Sequence, residues 1–163
     1  MRTLLRIVMV LTLWTAFPPH AWPQSQSRAL AIIVNKANPT EELSSTELRK
    51  IFLAERAYWS QGGSITVAMR DAGQEERAVV LEHICHMNES EFNRYFLQAT
   101  FTGAVQTPPK RFSTAIGIRD FVAAVPGAIG YVRINDLNAS VKPLRVNGRL
   151  PKDPGYELAV QSP

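Results

Sequence analysis

Arg70 is the residue of this chain whose position points most directly to binding chemistry. Residues 65–69 alternate in the manner of a half-buried strand, and Arg70 follows at the end of that strand. After a short polar turn, the apolar residues from position 78 to position 84 have the spacing of an amphipathic helix. A helix N-terminus favours negative charge, and a guanidinium group matches the geometry of an oxyanion. The stretch therefore predicts an anion site with Arg70 as a ligand.

An ion pair within the protein is the alternative role for Arg70. Asp71, Glu75 and Glu76 follow it closely, and each could neutralise it. Carboxylates at a helix N-terminus suit the helix dipole themselves, so they would also compete with a bound anion. The sequence leaves both roles open.

Three more polar residues are candidates for lining the same cleft. Asn35 stands at the end of the first predicted strand, where its amide could face a ligand. Ser44 and Ser45 precede a predicted helix and could offer hydroxyl groups to an anion. Ser44 also forms a capping box with Glu47, and this pattern explains the serine without any ligand.

Residues 83–87 contain a group of potential metal ligands, since imidazole and thiolate groups bind zinc or copper. On a helix, however, Cys85 points about 100° away from His86. The one histidine outside this group is His20, near the N-terminus. We interpret these side chains as core or surface residues of a helix, and we predict no metal and no cofactor.

No catalytic motif accompanies these residues. The chain lacks the Gly-x-Ser-x-Gly, phosphate-loop and His-Glu-x-x-His patterns. We therefore predict that the protein is not an enzyme and that it has no catalytic residue.

The composition is that of one globular domain. The chain has 163 residues, of which 45% are hydrophobic, and its formal net charge is +4. It has no run of basic residues interleaved with aromatic ones, which argues against a nucleic-acid partner. Its single cysteine excludes an intramolecular disulfide.

The first 24 residues have the features of a signal peptide. Arg2 and Arg6 form a positive n-region, residues 7–17 are apolar, and prolines then interrupt the apolar run. This run is shorter than the roughly 20 residues of a transmembrane helix. An uncleaved membrane anchor is the alternative. We predict export to a periplasm, with no stable membrane insertion after cleavage.

The rest of the chain predicts an α/β domain with a mixed sheet flanked by helices. Continuous or alternating apolar patterns predict four strands, and Pro143 places the last of them at a sheet edge. The predicted strands are residues 29–34, 65–69, 128–134 and 141–146. Capping patterns at Ser44, at Asn88 and at Ser113 or Thr114 mark the starts of further helices.

The polar segments between these elements predict loops. Tyr58 and Trp59 fall in a loop after the first predicted helix, where exposed aromatic side chains are typical of interfaces. Residues 102–112 predict another loop, and residues 151–163 predict a loosely held C-terminal tail.

Five segments together resemble the second lobe of the phosphate-binding proteins of ABC transporters, in the type II periplasmic binding protein superfamily. The most specific is Val-Pro-Gly-Ala-Ile-Gly-Tyr-Val, at positions 125–132. The others are residues 33–35, 43–53, 59–63 and 65–70. The resemblance implies a single binding-protein-like lobe over residues 29–150 and an exported solute-binding domain that takes phosphate or another oxyanion.

The resemblance also has a departure that bears on the site. Where the family has Ser-Gly-Thr after its strand arginine, this chain has Gln74, Glu75 and Glu76. Gln74 thus occupies the place of a phosphate ligand and is predicted as one. The departure supports an alternative function, in which the same fold is a ligand-free interaction module in the cell envelope. That module would use Tyr58, Trp59 and residues 107–111 to contact a partner protein or a second copy.

Overall fold

The computed structural model of the protein describes residues 29–158. The predicted signal peptide at residues 1–24 lies outside the described residues, as does the end of the predicted tail at residues 159–163. Within residues 29–158, no helix has the length and apolar character needed to cross a membrane.

Strands and helices alternate along most of the described chain. The strands are β1 Leu30–Asn35, β2 Glu42–Leu43, β3 Thr66–Arg70, β4 Lys110–Phe112, β5 Ala128–Arg133, β6 Val141–Pro143 and β7 Arg145–Val146. The helices are α1 Ser45–Phe52, α2 Glu75–Val80, α3 Glu89–Phe101 and α4 Ala115–Ala124. A π-helical turn at Leu81–Cys85 extends α2, and a 3₁₀ turn at Ile134–Asp136 follows β5.

Five of the strands form a mixed sheet in the order β4-β3-β5-β1-β6. Strand β3 is parallel to both β4 and β5, whereas β1 is antiparallel to both β5 and β6. Strands β2 and β7 pair in parallel as a separate two-stranded sheet. The predicted mixed α/β architecture is confirmed.

Apolar layers cover both faces of the sheet. All six residues of β1 are buried, as its continuous apolar sequence predicts. Val67 and Met69 of β3 pack into the larger core cluster with α1 and α3. Ala68 faces the second cluster, which contains Ile118 of α4. Strand β3 is therefore buried on both faces, and the prediction of a half-buried strand is wrong because α4 covers the second face.

Side-chain caps set the starts of three helices. Ser44 with Glu47 and Asn88 with Glu91 each form a complete capping box. The Thr114 side chain accepts the hydrogen bond of the Gly117 N–H at the start of α4. These local predictions are confirmed.

Trp59 is buried rather than exposed. Only 6% of its surface is accessible, and its indole Nε1 donates to the Gly127 carbonyl over 3.1 Å. Tyr58, by contrast, is 68% exposed. The prediction of two exposed aromatics is therefore wrong for Trp59, since its partner comes from a segment 68 residues later.

Two strand predictions also need correction. The loop predicted at 102–112 ends in β4, which pairs with β3 in parallel. The strand predicted at 141–146 is divided between two sheets, because β6 pairs with β1 and β7 pairs with β2.

The C-terminal segment is held against β1 as far as residue 158. The Leu30 N–H donates to the Leu158 carbonyl over 2.8 Å, and the Tyr156 hydroxyl donates to the Leu30 carbonyl over the same distance. Leu158 is buried. The prediction of a loosely held tail is therefore wrong for residues 151–158, whereas a domain boundary after residue 150 stays a prediction.

Candidate functional site

Arg70 is fixed by its backbone at the carboxyl end of β3. Its N–H donates to the Tyr131 hydroxyl of β5 over 2.9 Å, and its carbonyl accepts from Nη1 of Arg77 over 3.1 Å. The residue is only 8% exposed. The strand prediction was therefore correct in placing a charged side chain at this end of the sheet, although it did not show that the side chain is buried.

The guanidinium group of Arg70 is only partly satisfied. Its Nη2 donates to Oε1 of Gln74 over 2.9 Å, and its Nε lies 3.8 Å from Oε2 of Glu76. Nε and Nη1 are buried and have no hydrogen-bond partner among the described residues. Buried donors without partners are costly and call for a specific explanation. These two nitrogens are therefore buried donors without a partner, beside a side chain, Gln74, that also has hydrogen-bonding capacity.

Glu76 lies between two arginines. Its Oε1 accepts from Nε of Arg133 over 2.8 Å, while Oε2 faces Arg70. Glu75 accepts from Nη2 of the same Arg133 over 2.9 Å. Burial alone would raise the pKa of Glu76, but hydrogen bonds from its backbone and from Arg133 outweigh this and lower it. Glu76 is thus an ionised internal counter-ion of Arg70.

A second buried arginine adjoins this group. Arg77 is 2% exposed and makes a bidentate pair with Glu89, with distances of 2.8 and 2.9 Å. The hydrogen bond from Arg77 lowers the pKa of Glu89. The guanidinium carbon of Arg77 also lies 5.0 Å from the ring centroid of Phe92.

The site predicted from the sequence does not include three residues of this charged group, namely Arg77, Arg133 and Glu89. Arg133 ends β5, which is parallel to β3, so its position matches the rule that placed Arg70 at a strand end. That signal was present in the sequence. The pairing of Arg77 with Glu89 had no comparable signal, because it depends on how α3 approaches α2.

Asn35 lies far from Arg70. Val34 and Val67 both pair with Ile129, so the three residues form one row across the sheet. Asn35 follows this row by one residue along β1, and Arg70 follows it by three residues along β3. These two directions are opposite, because β1 is antiparallel to β5 whereas β3 is parallel to it. The two side chains are therefore about 13 Å apart along the strands, and the structure does not bring them to one cleft.

The side chain of Asn35 is also fully engaged within the protein. Its Nδ2 donates to the carbonyls of Val122 and Ala123 at the end of α4, and its Oδ1 accepts from the Ala37 N–H. These bonds stabilise a helix C-terminus, which is a sufficient structural role.

Ser44 and Ser45 likewise have internal partners. The Ser44 hydroxyl donates to Oε2 of Glu47 and accepts from the Glu47 N–H. The Ser45 hydroxyl accepts from Nδ2 of Asn147 over 2.7 Å. Among residues 29–158, no hydrogen bond or ion pair links either serine to Arg70. The structure groups Arg70 with Gln74 and leaves both serines outside that group.

The helix after Arg70 is shorter than its pattern predicts. Its α-helical part ends at Val80, and the π turn follows. Gln74 stands at the N-cap position without capping the helix, since its side chain binds Arg70 instead. Two glutamates fill the first turn. Arg70, rather than the helix terminus, is therefore the cationic part of the site.

The histidine and cysteine side chains at 83–86 do not form a metal centre in the part of the chain that the structure describes. Cys85 is buried, and burial raises the pKa of its thiol to about 12. A thiolate ligand or nucleophile is therefore strongly disfavoured at this position. The wider expectation of no metal and no cofactor stays a prediction.

Comparison with known proteins shows the family to which the chain belongs. Residues 27–153 match the PBP superfamily domain. The chain belongs to this family. The predicted resemblance to phosphate ABC transporter substrate-binding proteins is also confirmed, because solved proteins of that kind share the fold over about three quarters of this chain.

Three solved structures illustrate the likeness of this PBP superfamily member. A Clostridium perfringens substrate-binding protein with bound phosphate has 22% identity and a TM-score of 0.61, over 74% of this chain and 46% of its own. The Vibrio cholerae ABC-type phosphate transport receptor has 20% identity and a TM-score of 0.57, over 78% of this chain and 50% of its own. The phosphate-binding protein of Stenotrophomonas maltophilia has 21% identity and a TM-score of 0.56, over 76% of this chain and 40% of its own. The chain thus spans half or less of the length of these proteins.

Proposed function

We propose that this protein is a non-enzymatic solute-binding domain of the periplasm that takes an oxyanion, with phosphate as the first candidate, at Arg70 and Gln74. The observation that supports it most is the pair of buried, unpartnered donors on Arg70. Bound phosphate in the Clostridium perfringens protein supports the choice of ligand. Family membership supports a binding function rather than catalysis.

In this proposal the anion enters between Arg70 and Glu76. The ion pair between them is long, at 3.8 Å, whereas Glu76 is hydrogen-bonded to Arg133 over 2.8 Å. Oxygens of the anion accept from Nε and Nη1 of Arg70, and Glu76 moves toward Arg133. The amide nitrogen of Gln74 supplies a further donor once its side chain turns.

The test is a titration of the purified protein with phosphate and with sulfate. We expect heat of binding by calorimetry and a saturable shift of the Arg70 Nε–H signal in NMR spectra of the wild type. The NMR readout needs no variant, so it is independent of any folding defect.

Arg70→Gln is expected to abolish binding, whereas Arg94→Gln leaves it unchanged. Arg94 is exposed on α3 and makes no ion pair among the described residues, so it controls for the loss of one positive charge. Absence of saturable Arg70 shifts at millimolar phosphate and sulfate would refute the proposal.

A second candidate function is a protein-interaction module, which the exposed apolar side chains favour. Leu97 and Phe101 lie four residues apart on α3 and are 74% and 92% exposed. Tyr58 borders a cavity of about 330 Å³ together with residues 103–107. Trp59, which is buried, is not available to a partner.

Self-association provides the direct test of this second function. In sedimentation experiments we expect Leu97→Ser with Phe101→Ser to abolish any dimer, while Ile116→Ser has no effect. Ile116 is 55% exposed on α4 and is the matched control. A monomeric wild type that also binds no envelope protein through α3 would exclude an interaction through this helix.

A further inference from the structure

A groove lies between α2, its π turn and the start of α3. Its volume is about 690 Å³, which is within the range of small-molecule sites. Arg70 does not line it. Its lining consists of Gly73, Gln74, Glu75, Ala78, Leu81, Glu82, His86, Met87, Asn88, Glu89 and Glu91.

The inner surface of the groove is apolar. Leu81 is almost fully buried, Met87 is half-buried, and Ala78 is exposed in the wall formed by α2. Methionine adapts its shape to varied partners. These three side chains offer apolar contacts to a ligand.

The rim of the groove is acidic although the chain as a whole has a net charge of +4. Four of the fourteen acidic residues of the chain line it, and no lysine or arginine does. The carboxylates are Glu75, Glu82, Glu89 and Glu91.

Three of these carboxylates are held in place by bonds from the protein. Arg133 holds Glu75, Arg77 holds Glu89, and the Asn88 N–H donates to Glu91. Glu82 is exposed and has no hydrogen bond or ion pair with any residue between 29 and 158. A carboxylate can accept about four hydrogen bonds, whereas Glu75 and Glu91 accept one each and Glu89 accepts three, so positioned acceptors remain for a cation.

We propose that this groove binds a small organic cation, an ammonium or guanidinium group attached to an apolar body. The apolar body contacts Leu81 and Met87, and the cation donates hydrogen bonds to Glu82 and Glu91. Neither of these glutamates has a cationic partner among the described residues. The ligand class is opposite in charge to the oxyanion proposed for Arg70, so the two proposals stand or fall separately.

Three probes of equal chain length separate charge from apolar contact: hexylammonium, hexanoate and hexanol. In titrations of the purified protein followed by backbone NMR, hexylammonium is expected to give saturable shifts at residues 81, 82 and 87. We expect hexanoate to bind at least about tenfold more weakly and hexanol to fall between them. Hexanoate binding as tightly as hexylammonium, or shifts located elsewhere, would overturn the proposal.

Two variants locate the cation. Glu82→Gln is expected to weaken hexylammonium binding about threefold, as for one partly solvated charge pair. Glu42→Gln, which removes an exposed carboxylate of β2 outside the groove, is expected to leave it unchanged. Ala78→Lys places an ammonium group in the groove and should abolish binding, with retained chemical shifts in β1 and β5 showing that the protein is folded. Equal affinities for the wild type, E82Q and A78K would contradict the assignment.

Discussion

Glu76 is the residue on which the affinity of the proposed anion site depends. It neutralises Arg70 from 3.8 Å and is anchored to Arg133. An incoming anion must therefore replace an ionised carboxylate that the protein itself supplies. At such separations the interaction between two charges near a protein surface amounts to a few kcal/mol, which is large compared with one hydrogen bond.

Glu76→Gln is expected to raise phosphate affinity about tenfold. The glutamine side chain removes the negative charge beside Arg70 and retains a group that accepts from Arg133. Calorimetric titration of the variant gives the dissociation constant. Glu75→Gln is the control, since Glu75 pairs with Arg133 and is not an ion-pair partner of Arg70. An unchanged or weaker affinity in E76Q would show that Glu76 does not compete with the ligand.

Glu89→Gln is expected to lower the free energy of unfolding by about 2 kcal/mol. The variant leaves Arg77 buried without a counter-ion, which costs about 3–5 kcal/mol where both partners are buried. Glu89 is 37% exposed, so water replaces part of the loss. Urea denaturation checks the value. Glu82→Gln, at an exposed and unpaired position, should change stability by less than about 0.5 kcal/mol.

The ion pair of Arg77 and Glu89 also predicts that the stability of the protein depends on pH. The pKa of Glu89 is lowered in the folded protein, so its contribution to stability is complete above the unfolded value of about 4.3. It is lost as the pH falls through the lower, folded pKa. Stability measured from pH 6 to pH 2.5 should therefore fall less steeply in E89Q than in the wild type. Parallel curves would contradict this assignment.

At the scale of elements, the sequence predicts features that depend on residues close together in the chain, but it does not predict those that depend on distant residues. The capping boxes at Ser44 and Asn88 involve residues three positions apart, so the sequence specifies them directly. The apolar run of β1 likewise predicts burial on both faces. The burial of Trp59 depends on Gly127, and no periodic pattern connects two positions so far apart.

Gly127→Ala is expected to lower the free energy of unfolding by about 2–3 kcal/mol. A Cβ atom at this position would collide with the Ser64 carbonyl oxygen and lie close to the Trp59 indole. Thermal and urea denaturation measure the loss. Trp59→Phe separates the two effects, since it removes only the indole hydrogen bond and some packing, and it should cost less than G127A. A neutral G127A would mean that the approach of residues 64 and 127 is not close.

At the scale of the whole molecule, the directions of the strands determine which strand-end residues lie together at the candidate site. Asn35 and Arg70 both end strands, and a parallel arrangement would have placed them at one edge. Strand β1 is antiparallel to β5, so the two residues lie at opposite ends of the sheet. The sequence patterns that predict strands contain no information on direction. The group of Arg70 and Gln74 was predictable because both residues belong to one strand–turn–helix unit.

The C-terminal segment is bound to the start of β1 by two hydrogen bonds to Leu30. Truncation after Leu150 is expected to lower the free energy of unfolding by at least about 3 kcal/mol, because two hydrogen bonds to Leu30 and the burial of Leu158 are lost. Urea denaturation gives the loss. Tyr156→Phe should cost about 1 kcal/mol. Glu157→Ala, at an exposed position between them, should cost nothing measurable. A truncated protein of wild-type stability would show that the segment is dispensable.

The π turn at Leu81–Cys85 has a consequence for the groove. An i→i+5 turn contains one residue more than the α-helical turn it replaces. Removing one residue there would leave an ordinary α-helical turn, and the residues before and after it would keep their directions because the π turn absorbs the extra residue. Leu81 and Glu82 belong to this turn and line the groove. A deletion of one residue within this turn is therefore expected to change the groove at Leu81 and Glu82 and to leave the five-stranded sheet intact.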